Sequence, residues 1–394
     1  MAGLISQLIR RASCRMTIGL ISLWSCVVYA QPCDDWPLWQ KFSSNFIQPD
    51  GRVLADESEQ HYSTSEGQAY ALFFSLVANQ REIFDRLLIW TRDNLSEQDL
   101  TTHLPAWQWG KKPDGSWGVA DQNSAADADA WLAYTLLQAG RLWKEATYTE
   151  QGKQVLARLR EHEVRNFQGA GAMLLPAPQS FDLEHGGTRL NPSYVPIQLL
   201  RAFAKAEPSG PWKEVIKNSV KLTKSLSPKG YAPDWGAYIP GQGYIVDPQY
   251  GSVGSYDAIR TYLWWGMLSP RDPVAAQLRY TLQGMNQLIP KHMSSPPLRV
   301  DAQTGVGQGE SPPGFSAALL PYFATMGNDV ALRLQRERLS AQRDAETGVL
   351  VGHSPRYYDQ VLALFGQGWM EHRFSFSVQG KLAVQWKQAC SKTK

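Results

Sequence analysis

Apolar residues recur at helical spacing through most of this 394-residue chain. Leu132, Leu136, Ala139 and Trp143 form one such stripe, because residues three or four positions apart share one face of an α-helix. The alternation of apolar and polar residues that is typical of strands is scarce. Three stretches rich in Gly, Pro and Asp, at 111–118, 176–187 and 233–254, predict long loops.

Two kinds of predicted helix alternate along the chain. Six are mainly apolar, which predicts an internal position, and they begin near Glu66, Asp127, Tyr194, Ser255, Gly314 and Tyr357. Six are more polar and amphipathic, at residues 36–46, 83–94, 152–163, 212–225, 273–288 and 329–342. Neighbouring helices that each bury one face predict an all-α fold with a closed double ring, an (α/α)6 barrel.

The first 30 residues have the features of a secretory signal peptide. Arg10, Arg11 and Arg15 precede an apolar run over residues 17–28, and Ala30 offers a small residue at the expected cleavage point. The apolar run is too short to favour a permanent membrane span. We therefore expect a secreted protein without stable membrane insertion, whose residues 31–394 form a single domain.

Removal of this segment changes the charge of the chain. Its charged residues are three arginines, so 39 basic residues fall to 36, against 36 acidic residues. A neutral mature chain argues against nucleic acid as a partner and favours a neutral substrate, because polyanions call for a basic surface. Cys33 and Cys390 remain at opposite ends of the mature chain, either bridged in an oxidising compartment or unpaired.

Three acidic residues mark the starts of predicted internal helices: Glu66, Asp127 and Asp257, at spacings of 61 and 130 residues. In an alternating barrel all internal helices run in the same direction, so the loops that lead into them gather at one end. Paired carboxyl groups on either side of a scissile bond are the equipment for hydrolysing a glycosidic linkage. The sequence therefore predicts an acidic catalytic site at this end of the barrel.

Each carboxylate could instead serve as a helix cap, since Asp and Glu accept hydrogen bonds from free backbone N–H groups. Asp127 looks most like a cap. Glu66 is harder to explain in this way, because Thr64 or Ser65 offers a better cap nearby. Gly67 next to it would let a bulky group such as a sugar ring approach the backbone.

The two catalytic roles place opposite demands on the carboxyl groups. Asp257 could act as a base, since Ser255 is available for capping and a helix start favours the ionised form. A general acid must keep its proton, so burial or a second carboxylate, Asp127 or Asp129, must raise the pKa of Glu66. The sequence permits this division of labour.

Aromatic residues supply candidates for sugar binding. Among the 15 tryptophans, Trp107, Trp109 and Trp117 fall in one loop-rich stretch, where stacking on pyranose rings competes with a role in the core. Tyr194 and Tyr256 make a similar but weaker case, because each stands near the start of a predicted internal helix.

The segment from Ala125 to Trp143 resembles the signature of glycoside hydrolase family 8. It departs from that signature at three positions that carry no chemistry: Ala126, where Ser or Thr is usual, Leu132 and Thr135. Two further segments are similar to the general-acid and base stretches of the family, Thr64–Tyr70 and Ser255–Arg260 respectively.

The resemblance extends over essentially the whole mature chain and implies an (α/α)6 fold with inverting hydrolysis of β-1,4-glucan. Glu66 would protonate the leaving oxygen, Asp257 would activate water, and Asp127 would lie near the scissile bond. We expect the substrate to contact Trp107, Trp109, Tyr194, Tyr256, Arg260 and Asp129. No metal or cofactor is implied.

Within the family the chain is most similar to the secreted, periplasmic endoglucanases that accompany bacterial cellulose synthase, which raises association with a synthase complex. Activity on xylan or chitosan is the nearest alternative, although mature neutrality does not support a cationic substrate. A polysaccharide lyase would need a basic groove. A non-catalytic glycan-binding subunit of a cellulose-secretion complex would not need all three carboxylates.

Overall fold

The computed structural model describes residues 36–55, 61–292, 295–345, 348–350 and 356–385, all of which belong to one compact unit. The predicted signal peptide, Cys33 and Cys390 lie outside the described residues. Within them, no helix is long and apolar enough to cross a membrane.

Helices dominate the described chain and fall into the two predicted classes. The largely buried inner helices are α2 (Ser65–Val77), α4 (Ala126–Trp143), α6 (Ile197–Ala206), α8 (Ala258–Gly266), α11 (Pro313–Met326) and α13 (Tyr357–Met370). The outer helices bury one face and are α1 (Pro37–Phe46), α3 (Arg81–Leu95), α5 (Ala146–Glu163), α7 (Trp212–Leu226), α9 (Ala275–Thr281), α10 (Gly284–His292) and α12 (Asp329–Ala341).

The inner helices form a closed ring. Each packs against the next along the chain, from α2 through α4, α6, α8 and α11 to α13. Phe365 of α13 then closes the ring against α2, with its ring centroid 5.6 Å from that of Phe73 and 4.5 Å from that of Phe74. The predicted (α/α)6 barrel is confirmed.

Three helices differ from their predicted extents. One is α5, which begins at Ala146 rather than at the predicted residue 152. The predicted outer helix over 273–288 is divided into α9 and α10 at Gly284, whose N–H donates to the carbonyl of Gly230 at 3.0 Å. A Cβ on Gly284 would lie 2.6 Å from the ring of Tyr231, so this close packing requires glycine. The third inner helix begins at Ile197, after a short 3-10 turn over Pro192–Tyr194.

The predicted long loops contain short antiparallel strands. Residues 108–121 form a hairpin, and residues 182–246 contribute a four-stranded sheet of order β6-β7-β8-β9. Strands of two to five residues joined by glycine turns are too short for a period of two to emerge from the sequence. The strands are β1 (Ser63–Thr64), β2 (Gln108–Lys111), β3 (Trp117–Asp121), β4 (Val164–Phe167), β5 (Gly171–Leu174), β6 (Asp182–Leu183), β7 (Gly187–Leu190), β8 (Gly236–Ile239), β9 (Gly243–Val246), β10 (Val253–Gly254), β11 (Pro297–Asp301), β12 (Gly307–Glu310), β13 (Phe374–Phe376) and β14 (Leu382–Val384).

Aromatic side chains fill the centre of the barrel. Trp131 of α4 is fully buried, and its ring lies 4.9 Å from Phe73, 5.3 Å from Trp264 and 5.0 Å from Phe365, on three other inner helices. The hairpin β13–β14 adds Phe376 to this cluster, 6.5 Å from Trp131. This core fixes the inner helices relative to one another, and with them the residues at their N-terminal ends.

Candidate active site

Glu66 lies in the first turn of α2 without capping that helix. The hydroxyl of Thr64 accepts the N–H of Gly67 at 3.2 Å, so Thr64 is the cap and the carboxyl group of Glu66 is available for other contacts. The indole N–H of Trp107 donates to Oε1 of Glu66 at 3.1 Å. Burial, followed by the negative charge of Asp127, raises the pKa of Glu66 to about 7.

Gly67 does not face an open sugar site. A Cβ at this position would lie 3.4 Å from the hydroxyl oxygen of Tyr357 and 3.5 Å from Oγ1 of Thr64. Because protein atoms already occupy this side of the backbone, the expectation that Gly67 admits a sugar ring is wrong. The residue packs α2 against the start of α13.

Asp127 is buried in the first turn of α4, where Ala125 rather than Asp127 occupies the N-cap position. One carboxylate oxygen, Oδ1, accepts the N–H of Ala128 at 2.9 Å, so the residue does contribute to the helix start. The other, Oδ2, lies 3.4 Å from the hydroxyl of Tyr70 and 3.4 Å from Nη1 of Arg260. Burial raises the pKa of Asp127, and the charge of Arg260 opposes that rise.

Asp257 occupies the N-cap position of α8 but does not use its side chain as the cap. Its Oδ1 accepts a hydrogen bond from Nη2 of Arg260 at 2.7 Å, and its side chain remains 28% exposed. The sequence pointed to Ser255 as the substitute cap, which is wrong, because its hydroxyl donates to the carbonyl of Leu298. The cap is Asp234, which accepts backbone N–H groups at the start of α8.

Arg260 joins the carboxyl groups into one cluster. Its guanidinium binds Asp257 and Asp127, and Nη2 also donates to the hydroxyl of Ser193 at 3.2 Å. The guanidinium carbon lies 5.5 Å from the ring centroid of Tyr194. The charge of Arg260 also lowers the pKa of Glu66, which places all three predicted carboxyl groups within electrostatic reach of one cation. We call this cluster, with Asp234, the acidic end of the barrel.

The loop tryptophans flank the acidic end on the hairpin side. Trp107 is 39% exposed, and its carbonyl accepts the N–H of Ser65, which ties the loop to the start of α2. Trp109 is half-buried, with Arg52 stacked 4.4 Å from its ring centroid and Trp117 at 5.6 Å. Trp107 therefore contacts the catalytic candidate Glu66, whereas Trp109 stacks with Arg52 and Trp117.

Tyrosines flank the same end from other loops. Tyr256, next to Asp257, is 43% exposed and packs edge-on against Phe315 at 5.3 Å. Tyr194 is half-buried, with its ring 6.2 Å from that of Trp235. Both predicted tyrosines thus border the carboxyl cluster.

Asp129 does not reach this surface. Its side chain is fully buried and faces Glu163, which in turn accepts a hydrogen bond from Ser124. Burial and the neighbouring carboxyl group raise the pKa of Asp129 well above its ordinary value, and the pKa of Glu163 is raised to about 8. The expectation that Asp129 contacts the substrate is wrong, because a side chain without exposed area cannot touch a sugar.

Comparison with known proteins places this geometry in a family. The sequence model described as "Glycosyl hydrolases family 8" matches residues 13–372. The chain belongs to glycosyl hydrolase family 8. Its sequence is 43% identical over 95% of its length to an endoglucanase of Xanthomonas axonopodis pv. citri, 96% of which is covered. It is also 44% identical over 92% of its length to an endoglucanase of Salmonella typhi, 94% of which is covered.

The fold is shared with solved structures of this family. The crystal structure of an endo-1,4-D-glucanase from Vibrio fischeri matches 90% of this chain and 100% of its own length, with a TM-score of 0.84 and 40% identity. In this family 8 barrel, sequence reasoning located Glu66, Asp127, Asp257 and Arg260 but missed Asp234. The only feature of the sequence that could have pointed to Asp234 is its position in the predicted loop over 233–254.

Proposed function

We propose that this family 8 hydrolase is an endo-β-1,4-glucanase that cleaves with inversion of the anomeric centre. Glu66 is assigned as the general acid and Asp257 as the general base. The endoglucanases to which the chain is 43% and 44% identical support the substrate class.

The contrast between the two carboxyl environments carries this proposal. Glu66 is half-buried and lies near the negative charge of Asp127, so its pKa of about 7 lets it hold a proton near neutral pH. Asp257 is paired with Arg260 at 2.7 Å and is partly open to solvent. Two carboxyl groups in such different environments suit an acid and a base in one reaction.

The reaction follows from these placements. Glu66 delivers its proton to the glycosidic oxygen while the bond from that oxygen to the anomeric carbon breaks. A water molecule attacks that carbon from the opposite face, and Asp257 takes its proton. Inversion requires room for this water, with roughly 6.5–9.5 Å between the two carboxyl groups. Asp127, buried and held by Tyr70 and Arg260, is assigned a place near the scissile bond, where its negative charge helps to keep Glu66 protonated.

The substitution Glu66→Gln tests the acid. It keeps the size and the hydrogen-bonding capacity of the side chain but removes the proton to be transferred. We expect the rate of viscosity loss of carboxymethylcellulose to fall by at least about 10²-fold. Glu82→Gln is the matched control, because Glu82 also stands in the first turn of a helix but is exposed. Unchanged activity in Glu66→Gln would return Glu66 to a structural role.

The stereochemistry and the substrate are tested separately. Proton NMR of freshly cleaved cello-oligosaccharides should show the α-anomer first, and initial β-anomer would overturn inversion. Wild-type activity on xylan or chitosan in place of cellulose would reassign the substrate. An unfolded Glu66→Gln protein is recognised by its circular dichroism.

We propose in addition that residues 1–30 direct secretion and that residues 31–394 are the mature catalytic domain. Periplasmic action beside a cellulose synthase follows as the proposed setting. The basic and apolar pattern of the first 30 residues supports export. N-terminal sequencing of the exported protein should begin at Gln31, and co-purification with a synthase complex tests the association.

A further inference from the structure

The start of α8 is held by a carboxylate from a distant loop. Oδ1 of Asp234 accepts the backbone N–H groups of Ser255 at 2.7 Å, Asp257 at 3.1 Å and Ala258 at 2.7 Å. These donors lie 21, 23 and 24 residues further along the chain. Hydrogen bonds from N–H groups to an ionised carboxylate are stronger than those to a neutral acceptor. Asp234 therefore fixes the backbone from which Asp257 projects.

Other elements hold the same short segment. The hydroxyl of Ser255 donates to the carbonyl of Leu298 at 2.7 Å, and the hydroxyl of Tyr358 donates to the carbonyl of Tyr256 at 2.7 Å. The N–H of Asp234 itself donates to the carbonyl of Val253 at 2.9 Å. The backbone around Asp257 is thus anchored through its N–H groups, a carbonyl group and a side chain.

This anchoring has a consequence for the side chain of Asp257. An Asp at an N-cap position ordinarily folds back to accept N–H groups of its own helix. The N–H groups of Ile259 and Arg260 already donate to the carbonyls of Ser255 and Asp257, and Asp234 accepts that of Ala258. The Asp257 carboxylate is therefore available to bind Arg260 and remains partly exposed. Without Asp234, capping by Asp257 would compete with its contact with water and substrate.

We infer that Asp234 is a positioning residue for the reaction, holding the start of α8 so that Asp257 faces the attacking water. The inference rests on the proposed role of Asp257 as the base. Asp234 is distinguished from an ordinary stability cap by what it orients, so its loss should slow the chemical step more than it weakens substrate binding.

Kinetics of Asp234→Ala and Asp234→Asn on a soluble cello-oligosaccharide test this inference. Asp234→Ala removes every acceptor, and we expect kcat to fall about 10²-fold with KM within about twofold, as for a misplaced catalytic group. Asp234→Asn keeps one neutral acceptor oxygen, so its kcat should lie between those of Asp234→Ala and wild type. Asp301→Asn is the matched control, because Oδ1 of Asp301 accepts the N–H groups of Gln303 and Thr304 in a turn.

The pH profile supplies a readout that a purely structural cap would not move. Burial and the charge of Asp257 raise the pKa of Asp234 to about 6, so protonation below that pH weakens its three hydrogen bonds in the wild type. Asn cannot titrate, so the fall in kcat toward acid pH should begin at a lower pH in Asp234→Asn. An unshifted acid limb would count against the inference.

Two outcomes separate this inference from the proposed function. If Asp257→Asn abolishes activity while folded Asp234→Ala keeps kcat within about twofold of wild type, Asp234 is only a stability cap. If Asp257→Asn retains activity, the base assignment fails first. Should Asp234→Ala not fold, Asp234→Asn and Asp234→Glu provide the decision, since wild-type kcat in both would overturn the inference.

Discussion

Glu66 stands in the first turn of α2, where the positive end of the helix dipole favours the carboxylate form. Its pKa is nevertheless raised to about 7, because burial outweighs the helix end and Asp127 adds a second negative charge. The hydrogen bond from Trp107 acts in the opposite direction, since it stabilises the ionised form. The proton on Glu66 thus depends on a balance that one neighbour can change.

Substitution of Trp107 by Phe shifts this balance in a known direction. Loss of the indole N–H destabilises the carboxylate, so the pKa of Glu66 rises and the basic limb of kcat/KM moves to higher pH. Loss of a hydrogen bond with a net contribution of about 1 kcal/mol corresponds to a rise in the pKa of Glu66 of somewhat less than one pKa unit. Trp117→Phe, in the hairpin that follows Trp107 along the chain and 49% exposed, is the control. A basic limb that stays in place in Trp107→Phe contradicts this account.

The buried pair of Asp129 and Glu163 makes stability depend on pH. The pKa of Glu163 is raised from 4.5 to about 8 by burial, so the folded state binds more protons than the unfolded state between these values. The free energy of unfolding therefore falls as pH rises through that window. Glu163→Gln removes this titration. We therefore expect the free energy of unfolding of the variant to fall less over this pH range than that of the wild type, by an amount on the order of a few kcal/mol.

Urea unfolding at about pH 5, 6.5 and 8 measures the effect. Glu161→Gln is the control, because Glu161 lies two residues earlier in α5 but is exposed. The prediction fails if Glu163→Gln and wild type lose stability with the same slope.

At the scale of elements, the positions of the helices can be predicted from the sequence better than the contacts made by the loops. Periodic apolar residues locate the inner helices, and the starts of α2, α4 and α8 bring Glu66, Asp127 and Asp257 to one end. The role of Asp234 could not be predicted, because its hydrogen bonds join a loop to backbone groups more than 20 residues away. Every residue except proline has a backbone N–H group, so the residue types in a sequence do not indicate which side chain will accept its hydrogen bond.

The packing of the hairpin β13–β14 is a second contact between distant residues that could not be predicted from the sequence, and substitution of one glycine tests it. Gly380 in its turn has a φ of +72°, and a Cβ there would lie 2.0 Å from the carbonyl oxygen of Gln198 in α6. Its own carbonyl accepts the hydroxyl of the buried Tyr134 at 2.8 Å. The glycine thus allows the hairpin to pack closely against two inner helices.

We expect Gly380→Ala to destabilise the protein by several kcal/mol, since the Cβ meets backbone as well as adopting a strained φ. Gly327→Ala separates the two causes. Gly327 has a φ of +70° with nothing within 4 Å of its Cβ position, so only the strain of about 1 kcal/mol remains. Thermal unfolding of both variants measures the difference, and equal losses would exclude the close contact as the cause.

At the scale of the whole molecule, the barrel separates support from chemistry. Aromatic packing around Trp131 and the hairpin β13–β14 hold the inner helices together, while the N-terminal ends of α2, α4 and α8 present the carboxyl groups. Reactive groups set on rigid helices keep their geometry better than groups on loops alone. The loops that carry Trp107, Tyr194 and Tyr256 are then free to contribute contacts around a fixed centre.

The charge of this centre predicts how salt affects different substrates. The carboxyl groups of Glu66, Asp127 and Asp257 lie around the guanidinium of Arg260, and Asp234 lies beside Asp257. The acidic end is therefore locally negative even with Glu66 protonated. A neutral cello-oligosaccharide is not affected by this electric field, whereas the anionic groups of carboxymethylcellulose are repelled by it.

Raising ionic strength from about 0.01 M to about 0.1 M shortens the Debye length from about 30 Å to about 10 Å. We therefore expect kcat/KM on carboxymethylcellulose to rise severalfold over this range, while kcat/KM on the neutral oligosaccharide stays within about twofold. Equal changes on both substrates would mean that salt acts on the protein itself rather than on the encounter with an anionic chain.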